Sequence, residues 1–406
     1  MTSSASSSVF AAVEMAPRDP ILGLTEAYNA DARPNKVNLG VGVYYGDDGK
    51  VPLLGPVKIA EKARLEAQVP RGYQPIDGAP AYNQAVQKLV FGAASPLLAE
   101  GRVVTIQALG GTGALKVGAD FLKRIAPSAK LYISDPSWEN HLALFEGAGF
   151  SVDTYPYYDA KTRGVDFAAM QAKFAAMAPG SIVVLHACCH NPTGADLSEA
   201  QWREVVEQVR ANKLVAFLDM AYQGFADGID ADGIAARLFA ESGLSFFLSS
   251  SFSKSFSLYG ERVGALSLVT ASKDEAARVL SQVKRVIRTN YSNPPTHGGA
   301  VVAAVLASAE LRAMWEAELG EMRSRIRSMR TSLVDGLKAQ GVAQDFSFIT
   351  RQRGMFSYSG LTQVQVEKLK SDYGIYAVGT GRICVAALNT RNIAYVAEAI
   401  AAVLKS

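Results

Sequence analysis

The sequence predicts an α/β fold built on a mainly parallel sheet, and two features carry that reading. From about Pro56 to Leu306, helical patterns alternate with short apolar runs at Leu131 to Ile133, Ser181 to His186, Leu214 to Leu218, Phe246 to Leu248 and Val263 to Leu268. Alternation of this kind joins parallel strands through crossover helices, which then cover the sheet. The runs at 182–185 and 214–218 are also apolar without interruption, as in strands buried on both faces.

Beyond this block, Trp315, Leu319, Met322, Ile326, Met329, Leu333 and Leu337 recur at steps of three and four. They mark one long amphipathic helix, able to bridge two domains. The remainder of the chain holds the segment Gly354 to Tyr358, a helical stretch near Gln363 to Tyr373, the strand-like Ile383-Cys384-Val385 and a last helix from Asn392. It reads as a small α+β unit.

Composition narrows the partners. With 406 residues, 49% of them hydrophobic and 19% charged, the chain can bury a large core. Lys plus Arg number 41 against 38 for Asp plus Glu, so the net charge is +3, and no basic run points to nucleic acid. Individual arginines are therefore read as site residues. Met1 to Phe10 is Ser-rich, without the basic start and apolar centre of a signal peptide, and no apolar stretch is long enough to cross a membrane. A cytoplasmic location is the expectation. Cys188, Cys189 and Cys384 make no disulfide framework.

Lys254 is the most chemically suggestive residue, set among hydroxyls in Ser249-Ser250-Ser251-Phe252-Ser253-Lys254-Ser255 after an apolar run. Partial burial lowers an ammonium pKa and frees the amine to attack a carbonyl. Taken alone, the segment would better suit a surface lysine in a Ser-rich loop. Upstream, the run ending at Leu218 leads into Asp219, with Tyr222 three residues on, and the run ending at His186 leads toward Asn191-Pro192-Thr193-Gly194. Both would lie at carboxyl ends of strands, the edge where open α/β sheets bind ligands. Gly110-Gly111-Thr112-Gly113 opens the helical pattern Ala114 to Arg124, an arrangement whose backbone N–H groups can hold a phosphate. A dinucleotide loop is the weaker reading, because no ribose-binding acid occurs about 20 residues later.

A glycine-rich loop, an Asn-Pro-Thr-Gly turn, a strand-end Asp, a Ser-x-Ser-Lys and Arg262 in Gly260-Glu261-Arg262-Val263-Gly264 occur in that order. Together they resemble the class I pyridoxal-phosphate aminotransferases, and most nearly the aspartate and aromatic amino acid aminotransferase group. Further marks are Asp19-Pro20-Ile21-Leu22-Gly23-Leu24, Asn38 to Tyr44, Pro136-Ser137-Trp138-Glu139-Asn140-His141, Asn290 to Pro295 and Gly381-Arg382, so the resemblance runs from about Asp19 to the C-terminus. It implies fold type I of the pyridoxal-phosphate enzymes: a large cofactor-binding domain with a mainly parallel seven-stranded sheet at residues 51–321, a small α+β domain from residues 17–50 and 322–406, and an N-terminal arm at residues 1–16.

The resemblance also implies roles. Lys254 would bind the aldehyde of pyridoxal 5'-phosphate and later carry the substrate proton. Asp219 would keep the pyridine nitrogen protonated, so that the ring withdraws electrons. Tyr222 and Asn191 would bond the ring oxygen, and Trp138 would stack on the ring. Gly111, Thr112, Ser251, Ser253 and Arg262 would hold the phosphate, with Tyr73 arriving from a partner subunit; a salt bridge to Glu261 is the plainer reading of Arg262. Arg382 would clamp the substrate α-carboxylate, with the Gly42 backbone closing over it, and Arg288 would receive a side-chain carboxylate across a homodimer interface. His186 and His141 would stand behind Asp219, while His297 receives no role.

His186, Cys188, Cys189 and His190 form a tempting metal set, but continued strand geometry would separate the two histidines by roughly 13 Å, and no metal is expected. The implied activity moves an amino group between aromatic amino acids (tyrosine, phenylalanine) or aspartate and 2-oxoglutarate, in a ping-pong cycle, with a dedicated aspartate aminotransferase as the alternative. Tyr45 and Val51 look like the aromatic branch; Val43, Thr112 and Asn293 look like the aspartate branch. A lyase on the same scaffold, or a binding protein with a vestigial site, fits less well, because both carboxylate-binding arginines and the lysine are retained.

Overall fold

The structure, a computed structural model, describes residues 8–19 and 21–405; Pro20 and the start of the expected N-terminal arm lie outside the described residues. At its centre is a seven-stranded sheet formed by β1 (Val103–Leu109), β2 (Leu131–Asp135), β3 (Val152–Pro156), β4 (Ile182–His186), β5 (Val215–Met220), β6 (Phe246–Ser251) and β7 (Val263–Val269). The spatial order is β1-β7-β6-β5-β4-β2-β3. All neighbours are parallel except β7, which runs antiparallel to both β1 and β6. The expected α/β class and mainly parallel seven-stranded sheet are thus observed.

Strand periodicity explains the uninterrupted apolar runs. Ile182, Val184 and Phe217 face one buried cluster, whereas Val183, Leu185, Ala216 and Leu218 face the other. Successive side chains point to opposite faces, and helices cover both, so no position along these strands is free to be polar. On one face lies α1 (Gly110–Ile125), which packs against β7, β6 and β1. Its Gly118 has no room for a side chain, since a Cβ there would stand 2.5 Å from the Phe217 ring.

Two strands escape the sequence reading. In β1, Thr105 and Gln107 interrupt the apolar pattern yet are buried, because Thr105 pairs with the Ser267 hydroxyl at 2.8 Å and Gln107 Nε2 donates to the Pro295 carbonyl at 2.8 Å. At the sheet edge, β3 buries only Tyr155 and so shows no apolar run. The structure also lengthens two elements. Asp219 is inside β5 rather than just past it, and Ser249, Ser250 and Ser251 continue β6.

The long helix is present as α2 (Ala309–Ala339), and all seven of its predicted apolar positions are buried. Arg330 is buried with them, which periodicity does not show. Its guanidinium satisfies itself on the carbonyls of Ile349, Gly354 and Phe356 at 3.0, 2.8 and 2.5 Å, tying the helix to the chain leading into the strand Phe356–Tyr358. That strand pairs antiparallel with Arg382–Cys384. Near the other end of the chain, Val37 and Asn38 pair in parallel with Ile375 and Tyr376, joining an N-terminal segment to the C-terminal unit. Among the described residues no single helix is long and apolar enough to cross a membrane.

Candidate active site

The carboxyl ends of the parallel strands and the amino end of antiparallel β7 meet at one sheet edge, and a cavity of about 920 Å³ opens there. It is lined by Gly42, Gly111, Thr112, Trp138, Asn191, Asp219, Tyr222, Ser251, Ser253, Lys254, Arg262 and Arg382. Twelve of the fourteen residues singled out from the sequence therefore share one cavity. Tyr73 and Arg288 do not line it: Tyr73 is 96% exposed, and Arg288, in the helix Lys273–Asn290, turns to the Ser292 hydroxyl.

Lys254 follows β6 and sits with its Nζ 4.8 Å from the centre of the Tyr222 ring. Burial lowers its amine to about 8; the negative charge of Asp219 opposes that fall, and Arg262 and Arg382 add to it. In the cofactor-free protein, labelling of Lys254 by a small amine reagent such as trinitrobenzenesulfonate should rise with pH and level off above about 8, whereas an ordinary lysine continues to gain reactivity toward 10.5. Mass spectrometry of the Lys254 peptide against pH reads this. A profile still climbing above pH 10 would refute the lowered value.

Asp219 is 6% exposed and accepts the Nε2–H of His141 at 2.9 Å. Burial by itself would raise its carboxyl, but the His141 hydrogen bond, helped by the positive charge of Lys254, holds it below the usual carboxylate value. It stays an anion in the interior. Behind it, His141 Nδ1 pairs with the Ser137 hydroxyl at 2.9 Å, and the His186 ring lies 4.9 Å from that of His141. Burial, with His141 nearby, pushes His186 down to about 3, so it is neutral. Burial also pushes the Tyr222 phenol up, keeping it a hydrogen-bond donor.

One geometric expectation is overturned. His186 and His190 are not 13 Å apart: their ring centres are separated by 4.3 Å. The strand ends at His186, and Cys189 takes a left-handed φ of 51°, which folds the chain back. Asp196 holds this bend by accepting the N–H groups of Cys189 and His190 at 2.7 and 2.8 Å. His190 is spent structurally, bonded to Ser134 and Thr193 and stacked on Tyr157 at 3.8 Å. The bend delivers Asn191 to the cavity, where its Oδ1 accepts from Arg382 Nη1 at 3.0 Å.

Where the sequence places a phosphate, Arg262 donates from Nη1 to the Ser253 hydroxyl at 3.3 Å and to the Tyr259 carbonyl at 2.8 Å, rather than to Glu261. Gly110, at a φ of 69°, opens α1 directly against this guanidinium; a Cβ there would lie 2.6 Å from Arg262 Nη2. Gly42 is equally constrained, because a Cβ would lie 2.7 Å from the Phe356 ring. Arg382 rests on that ring, 4.4 Å from its centre, and donates from Nη2 to the Gly40 carbonyl at 2.7 Å. Glu139, beside Trp138 in the wall, carries chemistry that the sequence reading left unassigned, and its only signal there was an acid inside a recognised motif.

Comparison with known proteins decides what this site belongs to. Residues 34–400 match the family "Aminotransferase class I and II". The chain belongs to that family. An aspartate aminotransferase of Pseudomonas aeruginosa is 67% identical over 397 residues, covering 98% of this chain and 100% of the relative. The aromatic-amino-acid aminotransferase of Escherichia coli is 51% identical, with 98% and 100% covered. A crystal structure of an aromatic-amino-acid aminotransferase from Burkholderia pseudomallei, covalently bound to pyridoxal phosphate, superposes with a TM-score of 0.96 at 71% identity, covering 98% of this chain and 100% of the other.

This aminotransferase is an enzyme that uses pyridoxal phosphate. The donors present suit that group: an amine of lowered basicity for the aldehyde, a buried anion for the pyridine nitrogen, and an arginine with two serine hydroxyls beside a helix N-terminus for the phosphate. The space left by Gly110 and Gly111 keeps backbone, not side chain, against the phosphate end of the cavity.

Proposed function

We propose that this aminotransferase moves amino groups between tyrosine, phenylalanine or aspartate and 2-oxoglutarate, in two half-reactions that share one cavity. Bound pyridoxal phosphate supplies an electron sink for the carbanion left when the Cα proton departs. Lys254 would anchor the cofactor and would take up and return that proton, a role for which an amine lowered to about 8 is suited. Asp219 would hold the ring nitrogen protonated; Tyr222 and Asn191 would donate to the ring oxygen, and Trp138 would cover the ring. Gly111, Thr112, Ser251, Ser253 and Arg262 would hold the phosphate. Arg382, fixed by Asn191 and Gly40, clamps the α-carboxylate under the Gly42 segment.

The observation that carries the aromatic reading is the mixed wall of the cavity. Besides its charged groups, the cavity is lined by Ile21, Leu22, Val41, Val43 and Phe356, an apolar surface suited to an aromatic side chain. A dedicated aspartate aminotransferase is the second reading, favoured by the relative at 67% identity. Values of kcat/KM for tyrosine, phenylalanine and aspartate, each with 2-oxoglutarate, separate the two. Aromatic values within tenfold of that for aspartate support the first, and a ratio above about 10³ in favour of aspartate selects the second.

The same reading makes the enzyme a cytoplasmic homodimer with shared sites. Tyr73 and Arg288 are exposed outside the cavity, as residues serving a neighbour's cavity would be, and Leu65 and Val69 near Tyr73 are exposed apolar groups. The pairing of Val37–Asn38 with Ile375–Tyr376 supports a discontinuous small domain of residues 17–50 and 322–406, set beside a large domain of residues 51–321.

A further inference from the structure

Arg382 and Glu139 form an incomplete pair in the cavity wall. Arg382 is 1% exposed, and two of its nitrogens are committed, to Asn191 and to the Gly40 carbonyl, while the Phe356 ring supports its face. Its Nε–H has no hydrogen-bond partner among the described residues, and neither has Glu139 Oε2, although both atoms are buried. That oxygen lies 3.8 Å from Arg382 Nη1. The separation is too long for a hydrogen bond and short enough for Coulomb attraction. Glu139 is the first residue of the helix Glu139–Gly147, and its side chain is 30% exposed, so it has room to withdraw.

We propose that Glu139 is a resident counter-ion of Arg382 that competes with incoming carboxylates, so that every substrate must displace or oppose a negative charge already facing the clamp. This rests on the reading of Arg382 as the α-carboxylate clamp. The guanidinium is pinned on three sides, so the arriving carboxylate meets it where it stands, and the acid is the partner that gives way. Glu139 therefore weakens the binding of all carboxylate substrates. A dicarboxylate feels the opposition at both ends and is disfavoured at least as much as an aromatic monocarboxylate, which shifts the balance between the two substrate classes toward aromatic ones.

The test is Glu139→Gln, which keeps the shape and removes the charge. Binding of two unreactive carboxylates, 3-phenylpropionate and succinate, to the cofactor-loaded protein is measured by calorimetry, alongside the melting temperature. The variant should bind 3-phenylpropionate about tenfold more tightly, and succinate by at least the same factor; about tenfold corresponds to about 1.4 kcal/mol. In turnover KM should fall while kcat holds, the pattern of a change in uniform binding. Unchanged or weakened affinity in Glu139→Gln, with or without a lower melting temperature, overturns the proposal and leaves Glu139 a helix-end residue. Failure of the wild type to bind either compound would defeat the clamp reading itself, and this inference with it.

Discussion

Replacing Lys254 by Ala is expected to lower kcat by more than about 10⁴-fold, because positioned proton transfer alone contributes about 10²- to 10⁴-fold and the substitution also removes the anchor of the cofactor. The residues lining the cavity include no second amine: its other cations are the guanidiniums of Arg262 and Arg382, which do not give up a proton near neutral pH. The residue is also separable from the fold, since its Nζ contacts the Tyr222 ring rather than a structural partner. Melting temperature should therefore change by only a few degrees. Two readouts accompany the rate: the visible absorbance of the cofactor-loaded protein should be lost or shifted, and borohydride treatment should fix the cofactor to the Lys254 peptide in the wild type only. A variant retaining more than a hundredth of wild-type kcat would sink the assignment.

Substitution of Asp219 by Asn should be the next most damaging change. Asn keeps an acceptor for His141 Nε2–H, so the chain Asp219–His141–Ser137 can persist in shape while the anion disappears. Breaking a buried charge pair by neutralising one member costs about 3–5 kcal/mol, or roughly 10²- to 10⁴-fold in kcat. The loss should fall on kcat more than on KM, because the pairing matters most when the ring carries the carbanion charge. Steady-state kinetics checks this, and a kcat within tenfold of wild type would show that the buried carboxylate is structural. The same outcome would leave its lowered pKa, held against burial by the His141 hydrogen bond and Lys254, without a function.

Much of the fold was legible because its strands are buried on both faces and its long helix is buried on one. Leu214 to Leu218 reads as a core strand since neither face tolerates a polar group, and the seven apolar residues from Trp315 to Leu337 keep to the helical repeat and are all buried. Strands β1 and β3 were hidden for opposite reasons. One pairs polar residues inside the core, Thr105 with Ser267 and Gln107 Nε2 with the Pro295 carbonyl, and the other is an edge strand with little to bury. Arg330 was hidden likewise, since a charged residue at a core position is stable only when carbonyls distant in sequence converge on it.

The sequence by itself determined which chemical groups this protein carries and in what order, from the glycine loop through Asn191, Asp219, Lys254 and Arg262 to Arg382. Local patterns suffice for that, because strand ends and helix starts are set by neighbours a few residues away. Tertiary structure decided which of those groups meet. It folded His190 back to within 4.3 Å of His186 by a left-handed turn at Cys189, drew Arg382 from 191 positions away onto Asn191, and set the Glu139 carboxylate 3.8 Å from the same guanidinium. Distances between charges depend on how whole layers pack, and a charge takes its pKa and its competitor from those distances.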